Sequence, residues 1–177
     1  MATILKNLPF LEHRSTATPP GELLPIRPYQ IIVWVSITDS EWDETGPNIP
    51  RFPALLDTGM SHNFAIREEE LIKWEGLDPR TFLVLGNARL SGLRVNMVEG
   101  KIWLSSNEPG SRDQLINKPP FWLEMAGGIA VYPRGTANAP RLPLLGLRGL
   151  RRANLQLFID CQKCMVSLQT PRRYWIF

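Results

Sequence analysis

The chain reads as an all-β protein, a closed barrel of short strands carrying one short helix. Three features of its 177 residues point there. Sixteen prolines are scattered along it, and proline fits badly inside helices. Runs rich in β-branched and aromatic residues recur between Gly and Pro punctuation, as in strands separated by turns. Only short windows, at 66–74 and 147–153, suit a helix. Short strands in such number bury their edges best by closing on themselves.

Taken in order, residues 1–28 hold Pro9, Pro19, Pro20, Pro25 and Pro28 among mixed polar residues. They read as an extended N-terminal arm without a core of its own, free to pack on the domain or on a partner subunit. The domain proper spans 29–177. Residues 29–37 form its first strand, 39–50 a turn-rich loop, and 51–56 a strand that feeds Asp57. Glu68, Glu69 and Glu70 open the 66–74 window, where a helix dipole favours acidic groups. They suit a solvated face better than a metal site. Residues 81–85 and 95–104 read as strands broken by Gly86, Gly92 and Gly100, and 105–120 as a polar loop insertion. Strands at 121–125 and 128–132 follow, then Leu144 and Leu145 before Gly146, a short helix at 147–153, a hairpin around Cys161, and the terminal Tyr174-Trp175-Ile176-Phe177.

Composition excludes several classes. Twenty basic against 17 acidic residues give a net charge of +3, too mild an excess to mark a nucleic-acid binder, which wants a clustered basic face. Arg148, Arg151, Arg152, Arg172 and Arg173 gather toward the C-terminus as solvated surface or interface groups. No apolar run is long enough to span a bilayer, and residues 1–6 lack a signal peptide's apolar centre, so a cytoplasmic location without membrane contact is expected. Cys161 and Cys164 form a C-x-x-C, but His13 and His62 stand far off in sequence, so no metal site is expected. Alternating flanks make the pair a hairpin turn with two incidental thiols.

The most informative stretch is Leu55-Leu56-Asp57-Thr58-Gly59-Met60-Ser61-His62-Asn63-Phe64. A lone Asp ends an apolar strand and enters a Thr-Gly turn, which delivers a carboxylate from a buried strand into a loop. Downstream, Pro143-Leu144-Leu145-Gly146-Leu147-Arg148-Gly149-Leu150 repeats an apolar-apolar-Gly frame. With these two motifs in this order, residues 29–177 resemble the retropepsin-like aspartic proteases, the single-domain family of retroviral, retrotransposon and related cellular and bacterial enzymes. The resemblance implies an acid-protease-like barrel, no cofactor, a polypeptide substrate, and a β-hairpin flap between Leu83 and Gly100 with Gly86 or Gly92 near its tip.

It also implies a mechanism. Two neighbouring carboxylates cannot both ionise comfortably, so they share one proton. The ionised member activates a water and the protonated member polarises the peptide carbonyl. This chain supplies one such Asp, so the second Asp57 must come from a second copy across a two-fold axis. Thr58 would cross-bond the two turns, Gly59 would permit the tight bend, and residues 174–177 or part of the arm could pair across the dimer. Met60 departs from the family's usual small Ala or Ser. A thioether cannot hydrogen-bond the aspartate, which predicts activity nearer neutral pH, or a crowded site and an inactive barrel used for peptide binding or assembly. Arg148 stands where many cellular relatives carry an acidic residue. Ser61 beside His62 does not make a serine hydrolase, since no G-x-S-x-G elbow accompanies them.

Overall fold

The structure, a computed structural model, describes residues 2–39, 49–90 and 92–171. The terminal 174–177 segment and most of the 39–50 loop lie outside them. Most of the molecule is one mixed nine-stranded sheet. Its strands are β4 (Ile32–Thr38), β5 (Phe52–Asp57), β6 (Phe64–Arg67), β7 (Val84–Leu90), β8 (Leu93–Val98), β9 (Lys101–Leu104), β10 (Phe121–Leu123), β11 (Ile129–Tyr132) and β12 (Leu144–Gly146), in the spatial order β10-β9-β4-β5-β12-β6-β11-β8-β7. β4 is buried along its whole length because it lies inside the sheet, with β5 on one side and β9 on the other. Ile32, Val33, Trp34, Val35 and Ile37 each contribute roughly 1.5–3 kcal/mol of apolar burial there.

The expected closed barrel is corrected here. β10 and β7 remain the two free edges, so among the described residues hydrogen bonding does not close the sheet. The edges nevertheless come near each other. Leu85 of β7 and Trp122 of β10 line one cavity of about 210 Å³, with Glu99, Gly100 and Lys101 between them. An open cavity stands where a strand pairing would have closed the sheet.

Residues 2–28 pack onto the domain itself. β1 (Thr3–Pro9) pairs antiparallel with β14 (Met165–Gln169), which pairs with β13 (Gln156–Asp160), and β2 (Ser15–Ala17) pairs with β3 (Leu24–Ile26). Ile4, Leu5, Leu8, Leu24 and Ile26 are buried in the same cluster as the β4 side chains. The periodicity was masked by Pro9 and Pro25, which sit at a strand end and in a short strand pair.

The polar 105–120 insertion is tied to this N-terminal part by two buried side chains. Asn107 accepts from Lys6 N at 3.0 Å and donates from Nδ2 to the carbonyls of Lys6, Glu108 and Ser111. Arg112, 8% exposed, donates to Ser15 Oγ, to the Thr16 carbonyl and to the Asp113 carboxylate.

The 66–74 window holds a short helix, α1 (Glu68–Glu70), that runs on as a π-helical turn, Leu71–Glu75, and stops at Gly76 with φ +67°. Leu71 and Trp74 face the core, and Trp74 stacks on Phe52 at 5.4 Å. Glu75 returns to the sheet. Beyond the start of β5, its Oε1 accepts the Ile37 amide at 2.9 Å. Burial pushes this carboxyl up to about 8 against that hydrogen bond, and burial likewise pushes Glu70 up to about 7. The second helix, α2 (Leu147–Arg152), follows β12 directly.

Candidate active site

Asp57 is the last residue of β5, half-buried, held in place by the buried Leu56 and by the pairing of β5 with β4. The chain then turns sharply. Met60 N donates to the Asp57 carbonyl at 3.3 Å, and Gly59 N donates to Asp57 Oδ1 at 2.9 Å. The turn's own backbone therefore fixes the orientation of the carboxylate. Thr58 and Gly59 are exposed, and the chain re-enters the core at Phe64 in β6. Gly59 has no left-handed φ, and a Cβ there would meet only Asp57 Oδ1, at an ordinary 3.4 Å. Within one chain the bend does not require glycine at this point.

Gly146 is different. β12 is threaded between the two strands flanking the turn, parallel to β5 and antiparallel to β6. Leu144, Leu145 and Gly146 lie opposite Leu55, Leu56 and Asp57. Gly146 N donates to the Asn63 carbonyl at 3.0 Å, and a Cβ on Gly146 would stand 2.1 Å from the His62 carbonyl oxygen. Backbone meets backbone, so no side chain fits. The two motifs, nearly ninety positions apart, thus form one unit around the carboxylate. Asn63, 3% exposed, braces it from below by donating from Nδ2 to the Ala126 carbonyl at 2.9 Å. Its Oδ1 has no donor among the described residues. The sequence placed Asn63 in the turn without showing this bracing role.

The β7–β8 hairpin separates the two glycine candidates. Leu90 pairs with Leu93, so Gly92, with φ +80°, belongs to the tip, whereas Gly86 sits at a register shift within β7. Leu90, Val95 and Met97 of the hairpin form a second buried cluster with Ala65, Ala130 and Tyr132, and Met60 and Leu144 pack against it. Met60 therefore has an apolar partner. Its side chain packs the Asp57 turn against a cluster that includes hairpin residues, which the motif alone did not reveal.

Beside the carboxylate, Ser61 Oγ lies 3.1 Å from His62 Nδ1. Partial burial lowers the His62 pKa, and the positive charge of Arg148 lowers it further. No acidic group bonds the ring among the described residues, so a serine-hydrolase triad lacks its third member. Cys161 and Cys164 occupy the β13–β14 turn as free thiols, Cys164 with φ +50°. Among the described residues no three His, Cys, Asp or Glu side chains are grouped to hold a metal ion, and no helix is long and apolar enough to cross a membrane. No family model, curated protein or solved structure matches the chain.

Proposed function

We propose that the protein is a retropepsin-like aspartic endopeptidase that cleaves extended or unfolded polypeptides as a homodimer. The observation that carries this reading is the threading of β12 between β5 and β6, with Gly146 in register with Asp57. Such an arrangement presents a single oriented carboxylate from the end of a buried strand, at an exposed turn. The exposure of Thr58 and Gly59 supports the dimer, because the turn leaves open the face on which a second copy would dock. Across a two-fold axis each turn would meet its own copy, and Thr58 could bond the partner turn.

In the dimer the two Asp57 carboxyls share one proton and titrate as a unit. The ionised carboxylate takes a proton from a water held between them as that water attacks the scissile carbonyl. The protonated carboxyl donates to the carbonyl oxygen, and the resulting diol collapses with proton transfer to the leaving nitrogen. The Gly59 amide keeps one carboxylate oxygen aimed throughout. The β7–β8 hairpin covers the bound peptide, excludes water and offers main-chain hydrogen bonds. No metal or cofactor is needed for these steps.

The test is cleavage of an unfolded protein by wild type and by Asp57→Asn. Loss of a general base predicts a rate drop of at least about a hundredfold, with an unchanged thermal transition. Wild type that binds unfolded polypeptide as a dimer and never cuts it would instead make the fold a peptide-binding or assembly module.

A further inference from the structure

Arg148 is the second residue of α2 and stands two positions beyond Gly146. Since Gly146 is wedged against the His62 carbonyl, the first turn of α2 lies alongside the loop that carries Asp57. Arg67, Arg80 and Arg112 pair with Glu69, Asp78 and Asp113, whereas Arg148, like Arg151 and Arg152 on the same helix, has no such pair among the described residues. Arg148 is exposed and has no hydrogen bond or ion pair among the described residues, and no acidic residue occurs in α2. Arg151 and Arg152 follow on the same short helix, both exposed.

His62 adds a second donor. In the tautomer in which the Ser61 hydroxyl donates to Nδ1, the neutral ring carries its proton on Nε2, which has no acceptor among the described residues. The Arg148 charge reaches this ring and depresses its pKa, so the two groups are electrostatic neighbours. The imidazole belongs to the loop that carries Asp57, and the guanidinium stands on the helix that begins beside that loop; neither has an acceptor among the described residues. The group that satisfies both is a carboxylate, and an arginine can hold it through two parallel hydrogen bonds.

We propose that Arg148, with the neutral His62 N–H beside it, forms a rim bearing one positive charge that selects peptides with an Asp or Glu side chain close to the scissile bond. This specificity rests on the protease reading, because it takes the cleft over Asp57 to be the peptide-binding face. Arg148 acts on binding and orientation of the substrate; it is not a catalytic residue.

The experiment uses one peptide series with Glu, Gln or Lys walked along the positions flanking the cleaved bond. Two readouts are taken: kcat/KM with wild type, and affinity of the labelled peptides for the Asp57→Asn protein. One partly exposed charge pair predicts a preference for Glu over Gln of about fivefold at low salt, fading as salt rises. Arg148→Gln should erase that preference, and Arg148→Glu should invert it toward Lys, both with unchanged thermal transitions. Cleavage without a Glu preference, or a preference that survives Arg148→Glu, overturns the inference and leaves the protease reading standing. Selective binding of Glu peptides by a protein that never cleaves upholds the rim and removes the protease reading. Neither cleavage nor binding of any peptide overturns both.

Discussion

The loop at Asp57 and the insertion at 105–120 solve the same problem by opposite means. Each has to hold a non-repetitive segment against a sheet. Around Asp57 the fit is mainly main chain against main chain, with Gly146 under the His62 carbonyl, short turn bonds from Met60 and Gly59, and a single side-chain brace from Asn63 to Ala126. In the insertion, buried polar side chains span between segments: Asn107 reaches Lys6, and Arg112 reaches Ser15 and Thr16. The first solution demands glycine at one position and leaves the carboxylate exposed for use. The second ties most of its buried polar groups to other segments, Ser105 Oγ excepted, and leaves little free. One region is shaped for access, the other for anchorage.

That contrast can be broken most sharply at Gly146. Gly146→Ala would drive a Cβ into a carbonyl oxygen that has no flexible end to yield. The expected result is a loss of about 4 kcal/mol or failure to fold, read by urea denaturation. Gly59→Ala, by comparison, should fold normally, because its Cβ has room within the chain.

Glu75 tests the anchoring side through pH. Its folded pKa, about 8, lies above its ordinary value of 4.5, so the unfolded chain binds fewer protons at neutral pH. Stability is then fully present below about pH 4.5, declines as pH rises, and is lost through pH 8. The decline should be on the order of 5 kcal/mol. Glu75→Gln keeps an acceptor for the Ile37 amide and should flatten most of it, leaving the smaller fall near pH 7 that belongs to Glu70. Thermal unfolding across pH 4–9 measures both.

The smallest of these effects is expected at Asn107. Asn107→Ala removes four hydrogen bonds and leaves the main-chain groups of Lys6, Glu108 and Ser111 to find water. A cost of about 2 kcal/mol is expected, without any change in Asp57-dependent activity. A drop in activity as large as the drop in stability would show that the two regions are not independent.

The same contrast explains what the sequence disclosed. Motifs built from backbone fit leave a readable trace, since only glycine suits the position under His62, and two apolar residues must precede Asp57 and Gly146 alike. The strands at β4, β9 and β11, and the helix after Gly146, were likewise visible from β-branched runs and Gly punctuation. Bridging side chains leave no such trace: nothing local marks Asn107 or Arg112 as partners of residues about a hundred positions away. For that reason 2–28 read as an arm, although Leu5 and Leu8 lie in the main core. Closure of the barrel failed for a related reason. Strand count and alternation do not say whether the last two edges, β7 and β10, pair through hydrogen bonds or stay apart across a cavity lined by Leu85 and Trp122.

Whether Asp57 works with its twin can be read from one titration. Asp57→Asn protein is added to a fixed amount of wild type, mixed through a brief denaturation and refolding, and cleavage is followed. If the site is shared, each mixed dimer is dead, and activity per wild-type chain falls in proportion to the wild-type fraction, to about half at equal amounts. Activity per wild-type chain that stays constant across the titration would contradict the shared site outright.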